Sequence, residues 1–418
     1  MEVPQRITGP DMDRSATSTR VMQNSEETVE TGPLSPLGPA ARWSVTAGLL
    51  DKPRPLPSLS CFLDEAPTLA REGILPVAVL ALRAELGSPL PNAFKKLDQI
   101  AALLEAMTLA AEASCRELFE IMQLTAPYLL IKGPAMARLY PPDWPRTYSD
   151  IDLLLTSDYF PIVLRRFLNA GFAISETTIP QREWFNTYCR ESVNLHRADG
   201  ANVDLHHQIP PWIFSQRVST RELISRSIST SLFGIPVQVP SDCDQLLISA
   251  LHIISDGWKG RVGLTSWRDV IMLLRRLEIG QAREAFRGAS LTWLFDLVTR
   301  EINQHFPEAE ISGPTESHIP NHIQRRLRLL GWYGDTAVSR HRLAWAARLP
   351  ARNSAAYLVG VTFPSREYLR TRHGSIFHYW NEAIRETIDT RRGADYRMTT
   401  VADKSTTVSK VSTDPRNG

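Results

Sequence analysis

The stretch Asp150-Ile151-Asp152-Leu153-Leu154-Leu155 decides the fold of this chain. Its apolar run predicts a β-strand, and because side chains alternate between the faces of a strand, Asp150 and Asp152 should point the same way. Two carboxylates this close repel each other unless a cation lies between them, and oxygen ligands favour a hard ion such as Mg²⁺. The same pattern also fits a solvated sheet edge, so the neighbouring sequence has to separate the two interpretations.

The segments on either side favour a metal site. Upstream, the apolar run at 128–131 predicts a strand that ends in Lys132-Gly133, with a short helix over 135–140. A glycine at a strand-to-helix turn lets the backbone approach a phosphate closely. Downstream, Asp204 places a third carboxylate between apolar residues of a later strand. Three carboxylates and a glycine turn predict a two-metal site for phosphoryl transfer.

The rest of the chain divides into five predicted segments. Apolar residues at helical spacing predict a long helix over 93–124 and further helices at 242–255, 265–277, 291–304, 323–330 and 376–390. Alternating patterns predict strands at 172–176, 192–196 and 202–206. We predict an α+β protein made of a disordered tail (1–40), a helical N-terminal segment (41–124), a catalytic core with a small mixed sheet (125–210), a mainly helical C-terminal domain (211–392) and a second disordered tail (393–418).

Composition limits the possible partners. Lysine and arginine total 47 against 45 aspartate and glutamate, which gives a formal net charge of +2. This balance provides no bulk attraction for nucleic acid or anionic membranes, and we expect neither as a partner. The four cysteines are scattered singly, which argues against a zinc knuckle or a disulfide framework. Without a membrane-spanning apolar run or a secretory signal, we expect a cytoplasmic location.

The order of motifs resembles the nucleotidyltransferase superfamily with the DNA polymerase beta-like fold. The closer resemblance is to a family of uncharacterised bacterial nucleotidyltransferases, and it is carried by Lys132-Gly133, Tyr140-Pro141, Arg146, Asp150-Ile151-Asp152-Leu153-Leu154 and Asp204-Leu205-His206. The resemblance implies transfer of a nucleoside monophosphate from a nucleoside triphosphate such as ATP to a hydroxyl group, with release of pyrophosphate. It implies Mg²⁺ (or Mn²⁺) held by Asp150, Asp152 and Asp204, the last of which is also a candidate acceptor of the hydroxyl proton.

One departure from the superfamily pattern supports a rival function. Pro134 stands where the superfamily usually has serine. Proline suits the first position of a helix but removes a hydroxyl and a backbone donor from the phosphate site. The rival is a non-catalytic nucleotide-binding or accessory protein. The intact set of three carboxylates argues against it, because a protein that had lost the activity would have no reason to keep three carboxylates that repel one another.

Several other residues have two open interpretations. Lys132 and Gly133 are candidates for triphosphate contact, although a lysine at a strand end is also often solvated. Arg146 fits either a phosphate clamp or a structural ion pair with the acidic cluster. His252 and Asp269 have either a role near the site or a place in the helical core.

The histidines of the predicted hairpin are candidates for supporting positions around the carboxylates. His196 and His206 fit that role, the alternatives being a zinc site with Asp204 or a sheet edge. A three-residue loop at Asp199-Gly200-Ala201 predicts that His196 lies directly across from Asp204. That register separates an apolar face from a polar one, as a half-buried sheet requires.

Overall fold

The computed structural model describes residues 37–50, 54–123, 126–175, 189–258, 262–313, 319–329, 349–366 and 374–381, with short stretches at 34, 185, 332, 346 and 369–370. Residues 1–33 of the tail predicted at 1–40 and all of the tail predicted at 393–418 lie outside the described residues, as does the end of the helix predicted at 376–390. Of the helices described, none is both long enough and apolar enough to cross a membrane.

Helices flank the sheet on both sides in sequence. Those before it are α1 (Pro39–Thr46), α2 (Leu59–Asp64), α3 (Ala66–Arg71), α4 (Leu75–Leu86) and α5 (Lys95–Gln123). The sheet region contains α6 (Pro134–Ala137) and α7 (Phe160–Asn169). The helices after it are α8 (Trp212–Ser215), α9 (Thr220–Ser225), α10 (Asp242–Trp258), α11 (Leu264–Arg276), α12 (Ile279–Gly288), α13 (Thr292–His305), α14 (Asn321–Leu329) and α15 (Ala351–Thr362).

The central sheet has five strands in the order β1-β2-β5-β4-β3. They are β1 (Tyr128–Leu130), β2 (Ile151–Leu155), β3 (Ala173–Ile174), β4 (Ser192–His196) and β5 (Asn202–His206). The neighbouring strands β2 and β5 run parallel, whereas the other neighbouring strands are antiparallel. The predicted α+β class with a small mixed sheet is therefore confirmed.

Apolar residues cover both faces of β2. Ile151, Leu153 and Leu155 pack into a core formed with α5 and α7, whereas Leu154 packs into the larger helical core on the other face. Asp152 shares the face of Leu154 and is only 6% exposed. Since buried charges need a partner, neighbouring groups have to offset the negative charge of Asp152.

The helices that precede and follow the sheet share the larger core. A buried arginine on α11, Arg268, joins them by donating from Nη1 to the carbonyl oxygens of Ser44, Val45 and Ala47 at 3.2, 3.0 and 2.7 Å. These carbonyls lie at the C-terminal end of α1, where a helix leaves acceptors free. The helical structure begins at Pro39, inside the segment 1–40 predicted as a tail, and Leu37 is already buried. The other segment boundaries stay predictions.

A second hairpin interrupts the C-terminal region that the sequence predicts to be mainly helical. It consists of β6 (Ile228–Leu232) and β7 (Ile235–Val239), which pair antiparallel. Phe233 and Gly234 form its two-residue loop with φ values of +53° and +77°. Two positive φ angles are typical of a type I′ turn, which usually carries Asn-Gly or Asp-Gly. Because phenylalanine occupies the first position, this turn lacks the residue pattern that would predict it.

Candidate active site

The parallel pairing of β2 and β5 brings two of the predicted carboxylates side by side. Asp152 is directly paired with Asp204, and Leu154 with His206. Because residues two apart share a face of a strand, His206 points to the same side as Asp204. One ligand atom from each of Asp152, Asp204 and His206 lies within 4.8 Å of the others.

His206 lies between the two carboxylates. Its Nε2 is 3.2 Å from Asp152 Oδ1 and 3.1 Å from Asp204 Oδ2. Burial by itself lowers the pKa of an imidazole, but the two carboxylates outweigh burial and raise the pKa of His206 to about 10. The imidazolium therefore offsets part of the negative charge when no other cation is bound.

Asp150 lies in the bend before β2, outside this compact group. Although the residue is exposed to solvent, the surrounding protein and the charges of Asp152 and Asp204 raise the pKa of its carboxyl to about 6. The positive charges of Lys132 and Arg146 act in the opposite direction. Asp150 is thus a solvent-accessible carboxylate that is repelled by the negative charges of Asp152 and Asp204.

Gly133 allows the loops that carry Lys132 and Asp150 to approach each other. It has φ +53° and ψ −120°, and the N–H of Ala135 donates to the carbonyl of Lys132 at 3.0 Å. These values are those of a type II′ turn, which requires glycine at its first central position. A Cβ added at Gly133 would lie 3.0 Å from the carbonyl oxygen of Asp150. This packing is a structural reason for glycine at position 133, in addition to its predicted contact with phosphate.

The turn leaves few backbone donors for a phosphate. Pro134 has no N–H, and the N–H groups of Met136 and Ala137 donate to the carbonyl of Gly133 at 3.2 and 3.0 Å. The ammonium group of Lys132 makes no ion pair with any described residue. Contact of Lys132 with a triphosphate therefore stays a prediction.

Arg146 forms a buried fork with Asp269 of α11. Its Nε is 2.8 Å from Asp269 Oδ1 and its Nη2 is 3.0 Å from Asp269 Oδ2. The hydroxyl of Tyr140 donates to Asp269 Oδ1 at 2.7 Å. Although burial opposes the charge, Asp269 raises the pKa of Arg146 above its usual value. Arg146 thus forms a structural ion pair, but its partner is Asp269 of α11 and not the acidic cluster named in the prediction. Its binding of nucleotide stays a prediction.

The β4–β5 hairpin differs in register from the prediction. Arg197 pairs with Ala201 through the Ala201 carbonyl at 2.9 Å, so the loop is 198–200. His196 lies opposite Asn202, and Asn194 opposite Asp204. The predicted pairing of His196 with Asp204 is wrong by two residues, because Ala201 is buried and pairs with Arg197 just before β5, so it is not part of the loop. A shift of two keeps each side chain on its predicted face.

Asn194 is a site residue that the sequence analysis missed. In the amide orientation that satisfies its hydrogen bonds, its Nδ2 donates to Asp204 Oδ1 at 2.6 Å and to Oδ2 at 3.2 Å. Asp204 is therefore held from one side by Asn194 and from the other by His206. Correct placement of the loop would have identified Asn194, since its partner follows from the register.

Three other histidines near the sheet differ in their surroundings. His252 of α10 lies edge-on beside His206, with ring centroids 6.2 Å apart, and its Nδ1 is 2.9 Å from the carbonyl of Ile248. His207 faces away and packs against the rings of Phe160 and Trp212. His196 is exposed and is not among the clustered ligand atoms, so the alternative zinc set is not assembled.

Comparison with known proteins supplies the family. A model of a family described as uncharacterised nucleotidyltransferases matches residues 66–298, more than half of the 418 residues. The chain belongs to this family. Its membership confirms the resemblance drawn from the motifs, supports a general role in nucleotidyl transfer, and agrees with the mixed sheet and flanking helices. No curated protein matches the chain significantly.

The clustered donors fit the divalent ion that nucleotidyl transfer generally uses. Two carboxylates and an imidazole converge from two paired strands, and all three are common ligands of divalent metals. The surrounding protein is the largest cause of the raised pKa of Asp150, and the negative charges of Asp152 and Asp204 raise it further. Asp152, Asp204 and His206 are therefore the described residues most suited to hold an ion.

Proposed function

We propose that this protein transfers a nucleoside monophosphate from a nucleoside triphosphate to a hydroxyl group of an acceptor, with release of pyrophosphate, in a reaction that depends on Mg²⁺ or Mn²⁺. The observation that carries the proposal is the direct pairing of Asp152 with Asp204 on parallel strands, with ligand atoms within 4.8 Å. In a member of a nucleotidyltransferase family, this is the arrangement a metal-assisted phosphoryl transfer needs.

Asp152 and Asp204 would hold the ion, with Asp150 at the accessible edge as a further carboxylate. When bound, such an ion neutralises the charge of the triphosphate and polarises the phosphoryl group under attack. Lys132 would place its ammonium against the same triphosphate, because it lies close enough to Asp150 to influence the pKa of that carboxyl. Gly133 keeps the two loops together.

The chemical step forms one bond and breaks another. The acceptor oxygen bonds to the α-phosphorus, the bond from that phosphorus to the bridging oxygen of the β-phosphate breaks, and pyrophosphate leaves with the electron pair. The hydroxyl proton passes to the carboxylate of Asp204 and then to solvent. Asn194 would position that carboxylate through its two hydrogen bonds. Positioning and charge stabilisation account for most of the acceleration in such reactions.

The acceptor is proposed to be a hydroxylated small molecule, a peptide or a protein side chain. The formal net charge of +2 argues against a polynucleotide, whose binding requires a positive surface. A cytoplasmic location fits soluble substrates of these classes and stays part of the proposal.

A non-catalytic nucleotide-binding or accessory protein is the second candidate, and Pro134 favours it. The turn at Gly133 offers neither a serine hydroxyl nor an N–H at position 134. The backbone N–H groups of Met136 and Ala137 already donate to the carbonyl of Gly133. Such a protein would bind a triphosphate but leave it intact.

The test is a screen for pyrophosphate release. The purified full chain is incubated with each labelled nucleoside triphosphate, Mg²⁺ or Mn²⁺, and an extract as the source of acceptor. We expect metal-dependent pyrophosphate release and label transfer that chelation abolishes and that the Asp152→Asn and Asp204→Asn variants lack. Binding of triphosphate without turnover under every condition would favour the accessory protein instead.

A further inference from the structure

We propose that His206 is itself a metal ligand, and that the site it forms with Asp152 and Asp204 holds Mn²⁺ or Co²⁺ more tightly than Mg²⁺. The inference rests on the proposed function, because it concerns the same site. It adds a nitrogen ligand to a set of carboxylates and thereby specifies which ions the site prefers.

The spacing of the three ligand atoms supports direct coordination. Ligands at about 2.0–2.2 Å from one ion lie roughly 3 Å from each other. The Nε2 of His206 is 3.1 Å from Asp204 Oδ2 and 3.2 Å from Asp152 Oδ1. The imidazole nitrogen already has the separation from both carboxylates that shared ligands of one ion adopt.

The position of the ring disfavours a purely supporting role. A histidine that only orients a carboxylate can lie on the far side of it, whereas Nε2 of His206 lies between Asp152 and Asp204. An ion held by both carboxylates would therefore either take this nitrogen as a ligand or displace the ring. His206 is 2% exposed and packs beside the ring of His252, which leaves little room for displacement.

The composition of the ligand set determines the preferred ion. Asp150 is outside the compact group, so two carboxylates and one imidazole remain. Mg²⁺ prefers oxygen ligands and gives up water reluctantly, whereas imidazole suits transition metals. Affinity at a given nitrogen and oxygen site also rises from Mn²⁺ to Co²⁺. A site of this composition discriminates against Mg²⁺ more strongly than a site of three carboxylates.

The experiment detects the nitrogen directly. Mn²⁺ is bound to the full chain and pulsed electron paramagnetic resonance is used to search for coupling between the ion and ¹⁴N of a coordinated imidazole. We expect that coupling in the wild-type protein, and its replacement by a ¹⁵N coupling when only the histidines are labelled with ¹⁵N. This labelled sample contains no substitution, so it tests the proposal even where a variant fails to fold.

Variants then assign the coupling to one histidine. His206→Gln should bind Mn²⁺ without the nitrogen coupling, and the matched variant His196→Gln, altered at an exposed position of the same hairpin, should keep it. Competition titrations should show Mn²⁺ and Co²⁺ binding at least about tenfold more tightly than Mg²⁺, a preference that falls about tenfold in His206→Gln.

The possible failures are distinguishable. Mn²⁺ bound without nitrogen coupling in the wild type, or with coupling that persists in His206→Gln, overturns this proposal but leaves metal-dependent nucleotidyl transfer standing. Absence of binding for all three ions to the protein alone also overturns this proposal, whereas the proposed function fails only if the screen shows no metal-dependent pyrophosphate release.

Discussion

Two buried aspartates of this protein have opposite surroundings. Asp269 on α11 is 1% exposed and Asp152 on β2 is 6% exposed. Asp269 faces a guanidinium group and a phenol, through the fork of Arg146 and the hydroxyl of Tyr140. Asp152 faces another carboxylate, with the imidazole of His206 as the nearest positive charge.

The two sites differ in whether groups of the protein itself neutralise the buried carboxylate. A second guanidinium, that of Arg268, lies over the ring of Tyr140 at 5.2 Å from its centroid. Around Asp269 one carboxylate is thus surrounded by positive charge, whereas the sheet places the two carboxylates of Asp152 and Asp204 around one imidazole, with Asp150 as a third negative charge nearby. Buried charges are stable when they are paired. The site around Asp269 is complete without a ligand, and the site around Asp152 gains most from an added cation.

The largest effect is expected when Asp152 is changed. Asp152→Asn should lower metal-dependent pyrophosphate release by at least about 1,000-fold, because residues that only support a ligand typically cost about 10–100-fold and a ligand itself should cost more. Release is measured at saturating metal, so that weaker affinity is separated from lost turnover. Retention of most of the activity would remove Asp152 from the metal site.

A change at Asp269 should mainly lower the stability of the folded protein. Asp269→Asn leaves the buried guanidinium of Arg146 without its ionic partner, and breaking a buried pair costs about 3–5 kcal/mol. Denaturant unfolding should show this loss with or without metal. The control is Asp158→Asn, which breaks an exposed pair with Arg221 and should change stability little. A stability loss for Asp269→Asn no larger than that control would contradict the structural role assigned to the fork.

Asp150 should behave in the opposite way to Asp269 when no metal is present. Its pKa rises from 3.8 to about 6 in the folded protein, so the charged form is disfavoured by folding. Asp150→Asn should therefore stabilise the metal-free protein at pH 7. The full shift corresponds to about 3 kcal/mol, but solvent screening of this accessible residue reduces the expected gain to about 1–2 kcal/mol.

The dependence on pH gives the sign of that effect. Below pH 3.8 the carboxyl is protonated in both states and the gain should vanish, and it should grow between 3.8 and about 6 and then remain constant. Unfolding in chelator at several pH values measures it. A gain that is independent of pH would show that the charge of Asp150 is not its cause.

Local pattern predicted the strands of the site and their acidic residues. The bounds of β4 and β5 match the prediction because apolar and polar residues alternate along them. The parallel pairing of β2 with β5 is a property of the whole sheet, and no local pattern determines which residue faces Asp152. The fork between Arg146 and Asp269 joins positions 123 residues apart, a separation over which sequence periodicity carries no information.

The glycine of the β4–β5 loop carries the information that determines the register of the hairpin. A three-residue loop commonly combines a type I turn with a final residue in the left-handed region. Gly200 has φ +95° and is that final residue. Placing the glycine last would have given the loop 198–200 and hence the partner of Asp204.

The smallest effect tests this register through Asn194 and His196, which share one face of β4. Asn194 is opposite Asp204 and donates to its carboxylate, whereas His196 is opposite Asn202 and exposed. The two hydrogen bonds join one amide group to one carboxylate. Since a hydrogen bond contributes about 1 kcal/mol, Asn194→Ala should lower the turnover number at least about fivefold. His196→Ala should leave it unchanged, because no contact of the site is lost. Both variants are assayed at saturating triphosphate and metal. A larger loss for His196→Ala than for Asn194→Ala would restore the register in which His196 faces Asp204, and with it a role for His196 beside the carboxylates.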